Sequence, residues 1–235
     1  MLKIGHRGAA GLAPENTRAS FEKAMEANLD MIEIDVQLSK DNQLIVFHDH
    51  NLRRLAGINK KVNELKLSEL KKIDIGSWFS EQFAQERILS LAEVIELVKG
   101  HLQINIELKV IRRDHNLLVK KLVRLLKERD FSQDVIISSF DHQLIKSLKQ
   151  TNPELQGAIL VASVPVDPLR LIRDADADGI HPHYLTVTEE LVKLVKQAGL
   201  MINTWTVNQQ DEITRLKNLN IDGIMTDYPE LLVER

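Results

Sequence analysis

Short apolar runs of strand length alternate with segments of helical period along most of the chain. In the second half the alternation is regular: strand-like segments begin at Asp134, Gln156, Asp178, Leu200 and Asp222, an interval of 22 residues each time. About five strand residues, two short loops and about three helical turns fill such an interval. The intervening segments have the required pattern. In 188–199, Leu191, Val192, Leu194, Val195 and Ala198 form one apolar face between Thr188, a suitable N-cap, and Gly199, a suitable stop. In 114–129, Asp114 can cap a helix that turns Leu118, Leu122 and Leu125 to one side. Strands alternating with helices imply parallel βαβ units.

Three earlier strands complete the series: Lys3–His6, Met31–Asp35 and Gln103–Leu108, with Pro14-Glu15-Asn16-Thr17 opening a helix that runs to about Ala27. Eight βα units predict a closed TIM (β/α)8 barrel. The alternative is a doubly wound open sheet. Equal spacing, the count of eight and the lack of a glycine-rich fingerprint after the first strand all favour closure.

Two segments fall outside the count. Gln43–His48 is strand-like but follows the second strand too closely for a parallel crossover, so a hairpin around Asp41-Asn42 is expected. With those two as the turn, paired positions sum to 83 and His48 lies opposite Asp35. Residues 51–88 read as a small inserted cap before a helix at 91–99, with a helical stretch at Leu65–Lys72 and an aromatic pair at Trp78-Phe79. Nothing of low complexity divides the 235 residues, so a single domain including the insertion is expected.

Composition narrows the function. Hydrophobic residues at 43% and charged residues at 28% describe a soluble globular chain, and a net charge of −3 without basic blocks argues against nucleic acid as a partner. The absence of cysteine excludes disulfides, thiolate nucleophiles and thiolate metal sites. No apolar stretch reaches the ~18 residues of a membrane span, and the first residues lack a signal-peptide core, so a cytoplasmic location is the default.

Candidate chemistry gathers at strand ends. Glu33 and Asp35 share one face of the second strand, and Glu107 and Lys109 share a face at the end of the third. The first strand ends in His6-Arg7-Gly8. In a TIM barrel the C-terminal strand ends build the active site, so these groups converge there with His48. Three carboxylates need a positive partner, and oxygen-only ligands suit Mg²⁺ or Ca²⁺ better than Zn²⁺. With Arg7 and Lys109 the cation makes an anion pocket, and the two imidazoles suit acid–base work on its occupant.

Six segments taken in order resemble the glycerophosphodiester phosphodiesterase family: His6-Arg7-Gly8, Pro14-Glu15-Asn16-Thr17, Glu33-Ile34-Asp35-Val36, Phe47-His48-Asp49, Ile106-Glu107-Leu108-Lys109 and Trp205-Thr206-Val207-Asn208. The resemblance implies a divalent metal at Glu33, Asp35 and Glu107, acid–base catalysis by His6 and His48, and phosphate contact by Arg7 and Lys109. It also implies that Trp205 lines a glycerol pocket. The implied reaction is metal-dependent hydrolysis of a small glycerophosphodiester to sn-glycerol 3-phosphate and an alcohol, through a cyclic phosphate. By analogy with bacterial phosphatidylinositol phospholipases C, His6 is the base and His48 the acid.

Competing readings exist for single residues. His181-Pro182-His183 could bind Zn²⁺ in an amidohydrolase-like barrel, but strands four, five and seven end without further histidines. A catalytically silent sugar-phosphate-binding barrel would be favoured by loss of one histidine or carboxylate, and none is lost. Glu15 and Asn16 read as helix-start and loop-fixing groups, and His50, His101, His115 and His142 as surface residues.

Overall fold

The structure, a computed structural model, describes residues 1–109 and 115–233. The chain opens with β1 (Leu2–Gly5), α1 (Arg18–Glu26), β2 (Met31–Leu38) and β3 (Leu44–Val46). The inserted segment carries the short helices α2 (Arg53–Ala56) and α3 (Leu67–Leu70) and ends in β4 (Leu89–Ser90). There follow α4 (Leu91–Val98), β5 (Gln103–Leu108), α5 (His115–Glu128), β6 (Val135–Ser139), α6 (His142–Thr151), β7 (Gln156–Val161) and α7 (Pro168–Asp174). The last elements are β8 (Gly179–Pro182), α8 (Glu189–Gln197), β9 (Met201–Thr204), α9 (Gln210–Asn218) and β10 (Gly223–Thr226).

Eight strands, β1, β2 and β5 through β10, pair in parallel, and β1 closes the ring by pairing with both β2 and β10. This is the expected TIM barrel rather than the open sheet. Alternate strand residues explain its two layers. Outward-facing Ile32, Ile34, Ile104, Ile106, Ile137, Ile159, Ile180, Ile202 and Ile224 join the apolar faces of the helices in one large core. Ile4, Met31, Ile136, Ala158 and Met225 form a smaller cluster inside the barrel.

The repeated aspartates at strand starts have a local task. Asp178 accepts the Gly157 N–H at 2.7 Å, and Asp222 accepts that of Ile202 at 3.0 Å. Each is also held by a lysine, Lys149 at 2.8 Å and Lys196 at 2.7 Å. Thr188 caps α8, and Thr17 caps α1 by accepting from Ser20. The expected Asp114 cap of α5 lies outside the described residues.

The hairpin differs from expectation by one residue. Val36 pairs with Val46 and Leu38 with Leu44, so partners sum to 82 and Phe47, not His48, stands opposite Asp35. The cause is a three-residue loop, Lys40-Asp41-Asn42, in which Asn42 takes a left-handed conformation with φ 57°. Ser39 stabilises it by accepting from Gln43 N–H and donating to Asp41. A second difference is β4, a strand beyond those expected, which pairs antiparallel with β3. The helix expected at Leu65–Lys72 is confined to Leu67–Leu70. The insertion has its own core, in which Ile45 and Phe47 of the hairpin meet Leu52, Leu55, Val62, Leu65, Leu70, Ile75 and Ile88.

Candidate active site

Register brings the carboxylates together. In the parallel pair β2–β5, Glu33 lies beside Asn105 and Asp35 beside Glu107, all on the inward face. One carboxylate oxygen from each of Glu33, Asp35 and Glu107 falls within 4.8 Å of the others, among the described residues the cluster suited to a metal ion. Glu33 and Asp35 are 2% and 1% exposed, so their charges have little water to stabilise them.

The cations answer Asp35 most directly. Lys109 Nζ lies 3.0 Å from Asp35 and also bonds Glu107, while Arg7 Nε lies 3.3 Å from Asp35. Asn16, in a left-handed conformation, donates to Asp35 at 2.7 Å, which makes it the loop-fixing group its position suggested. Burial raises the Asp35 pKa, but Lys109 and Arg7 outweigh it and hold the carboxyl below its ordinary value. Burial and then the Asp35 charge push Glu33 and Glu107 upward. Glu33 accepts the Arg7 N–H at 3.0 Å through one oxygen, and its other oxygen, Oε1, is buried without a hydrogen-bond partner.

Each of the two histidines has a carboxylate behind it. His6 Nδ1 lies 2.7 Å from Asp227, and its Nε2 lies 3.9 Å from Glu33. His48 Nδ1 lies 2.6 Å from Asp49. His48 sits beyond the end of β3 and reaches the neighbourhood of Asp35 by the bend after Phe47, not by the expected cross-strand pairing. Burial disfavours the His6 imidazolium, but the Asp227 bond and the Glu33 charge outweigh it and raise the pKa. For His48, burial with Arg7 and Lys109 prevails over Asp35, and the pKa falls.

Asp227 is the group that sequence reasoning missed. It stands directly after β10, where the strand-end rule could have found it. Asn208 holds it, donating to its carboxylate at 2.5 Å and accepting its N–H at 2.9 Å. The turn Arg7-Gly8 carries both residues in left-handed conformations, φ 51° and 88°, and a Cβ on Gly8 would come within 2.5 Å of Ser20 Oγ.

Trp205 follows β9 at the mouth. Its indole N–H donates to the His181 carbonyl at 2.8 Å, and its ring meets Phe140 and His183 edge-on at 5.3 and 5.1 Å. The Zn²⁺ reading of His181 and His183 finds no support. His181 is buried inside the barrel with Nε2 accepting from Asn203 at 3.1 Å, while His183 Nδ1 accepts the Leu185 N–H at 3.4 Å. His50 and His101 are exposed as expected, whereas His115 and His142 are half-buried, the former against Asp141 and the latter against the Leu160 carbonyl.

Burial without a charge partner pushes the His181 pKa from 6.5 down to about 3. The unfolded chain therefore takes up a proton that the folded state refuses, and stability falls as the pH drops from 6.5 towards 3. Linkage assigns about 2 kcal/mol of loss to this group between about pH 7.5 and pH 5. Urea unfolding at the two pH values should show a smaller loss for His181→Gln than for the parent. Equal losses would contradict the assignment.

Three carboxylates, two cations and two carboxylate-backed imidazoles thus gather at the C-terminal mouth of a βα barrel, the end at which such barrels carry their active sites. The chain belongs to the glycerophosphoryl diester phosphodiesterase family, which matches residues 6–231, and is thus a hydrolase acting on phosphoric diester bonds. A glycerophosphodiester phosphodiesterase of Caldanaerobacter subterraneus subsp. tengcongensis is 39% identical over 99% of this chain and 96% of its own length. The structure of an Oleispira antarctica phosphodiesterase in complex with the product sn-glycerol-3-phosphate matches with a TM-score of 0.92 at 32% identity, covering 97% of this chain and 93% of that one. A glycerophosphodiester phosphodiesterase structure from Agrobacterium tumefaciens matches with a TM-score of 0.87 at 27% identity, over 98% of both chains. Among the described residues, no helix is long and apolar enough to cross a membrane.

Proposed function

We propose that this protein hydrolyses glycerophosphodiesters to sn-glycerol 3-phosphate and an alcohol with the help of a divalent cation, Mg²⁺ or Ca²⁺. The observation that carries the reading is the convergence of three carboxylates, two cations and two carboxylate-backed imidazoles on one barrel mouth. The product complex of the Oleispira relative supports the choice of substrate class. The donor set fits a hard cation, being all oxygen, and the partnerless buried Oε1 of Glu33 is a ligand atom in need of one.

Glu33, Asp35 and Glu107 would hold the cation. Bound there, it would balance their charge, draw electrons from the phosphate and lower the pKa of the glycerol hydroxyl beside the ester. Arg7 and Lys109 line the same pocket and contact the phosphate. His6, whose Nε2 faces Glu33, takes the proton of that hydroxyl as its oxygen bonds to phosphorus. His48 gives a proton to the departing alcohol oxygen as its bond to phosphorus breaks. Water then opens the cyclic phosphate with the two roles reversed. With the carboxylates uncompensated, the His6 pKa lies high and that of His48 low, the reverse of this division. Cancelling the Glu33 charge removes one of the two leading contributions that hold His6 up. Asp227 and Asp49 keep Nδ1 of each ring as the protonated nitrogen and leave Nε2 for the substrate. Trp205 forms one wall for the glycerol.

Phosphorus NMR of glycerophosphocholine hydrolysis tests the reading. Attack from the glycerol side leaves phosphate on glycerol, so glycerol 3-phosphate and choline are expected, and His6→Ala and His48→Ala should each lower turnover by roughly 10²–10⁴-fold. Phosphocholine with free glycerol, or full turnover in either variant, would contradict it.

A further inference from the structure

Arg54 stands on α2 in the insertion, five residues after Asp49, and its guanidinium is occupied on both sides. It makes a paired contact with Glu15, Nη1 and Nη2 each at 2.7 Å from a carboxylate oxygen. It makes a second with Asp49, Nε at 2.8 Å and Nη2 at 3.1 Å. Neither carboxylate ends there. Glu15 accepts from Arg7 at 2.8 Å, and Asp49 holds His48 Nδ1 at 2.6 Å. Two chains of charge-assisted bonds thus leave one guanidinium and arrive at the Arg7 side chain and at the His48 imidazole.

The anchor is firm although the Arg54 side chain is 43% exposed. Its neighbours Leu52 and Leu55 are buried in the insertion core together with Phe47, the residue before His48. The same core therefore positions the guanidinium and the peptide that carries the imidazole. A planar fork suits this geometry, since two carboxylates must be bound in one plane at a fixed separation, which an ammonium cannot do.

We propose that Arg54 is a positioning residue for the phosphodiester reaction, orienting His48 through Asp49 and Arg7 through Glu15, and that the insertion is attached to the barrel in order to supply it. The role rests on the function proposed above. Asp49 is kept ionised because its bonds to Arg54 and His48 outweigh burial, so it accepts from Nδ1–H of His48. Without Arg54, Asp49 can turn to water and the ring loses its fixed tautomer.

The test pairs kinetics with histidine nitrogen NMR on the full chain, the His48 signals being identified by their loss in His48→Ala. Arg54→Gln should lower kcat by about 10- to 100-fold, the scale of a small misplacement of reacting groups, with a KM change below about threefold. It should also mix the two His48 tautomers where the parent shows Nδ1–H. Arg54→Lys should restore neither, and Arg54→Gln combined with Asp49→Asn should cost no more than the worse single change. Arg53→Gln, on the same short helix, controls for loss of a surface charge. A parent-like kcat, an unchanged tautomer, rescue by lysine or an equal loss in Arg53→Gln would each overturn the proposal. If the parent itself left glycerophosphocholine intact, the substrate reading would fail while the tautomer comparison would still decide whether Arg54 orients His48.

Discussion

The 2-deoxy analogue of glycerophosphocholine should bind competitively and react at least about 10⁵-fold more slowly than the natural diester. Its charge and phosphate geometry are unchanged, so Arg7 and Lys109 keep their partner. What disappears is the attacking oxygen already tethered beside phosphorus, and proximity of this kind accounts for ~7–11 kcal/mol in favourable intramolecular reactions. Inhibition constants and single-turnover rates measured side by side separate binding from chemistry. Hydrolysis of the analogue at a rate near that of the natural substrate would show that the hydroxyl is dispensable and that water attacks directly.

Much of the fold was legible because the barrel strands are buried on both faces and the helices on one, a contrast that repeats every 22 residues in the second half. The site was legible for the same reason. Glu33, Asp35 and Glu107 are charged residues at inward positions of otherwise apolar strands, and such placements are costly unless something compensates them. The hairpin register was not legible. Asp41-Asn42 suits a two-residue turn, but the left-handed Asn42 and the Ser39 side chain favour a three-residue loop, and one residue of slip changes every facing pair. His48 nevertheless reached its expected neighbourhood because the strand ends at Val46 and the chain bends. Asp227, Asp49 and Arg54 meet the site residues from behind, Asp227 at His6, Asp49 at His48 and Arg54 at Glu15 and Asp49. Sequence pattern records which residues face inward, and only the folded chain records what stands behind them.

The second large effect concerns the carboxylates. Glu33→Gln, Asp35→Asn and Glu107→Gln should each reduce turnover by about 10³-fold or more, since cation-borne charge stabilisation is worth several kcal/mol. Asp35→Asn should be the most damaging to stability, because it leaves Arg7 and Lys109 buried beside a neutral group. Glu33→Gln should be the mildest, since burial and the Asp35 charge already disfavour its ionised form. Circular dichroism and urea unfolding distinguish loss of fold from loss of cation.

Metal reconstitution reaches the central claim most directly. The purified protein is stripped with chelator, its residual metal content is measured, and release of glycerol 3-phosphate from glycerophosphocholine is followed as Mg²⁺ or Ca²⁺ is returned. The account predicts negligible release from the stripped protein, recovery that saturates with one cation per chain, and no recovery in Glu33→Gln or Glu107→Gln at the same cation concentration. Full activity in protein verified to be free of metal would contradict it.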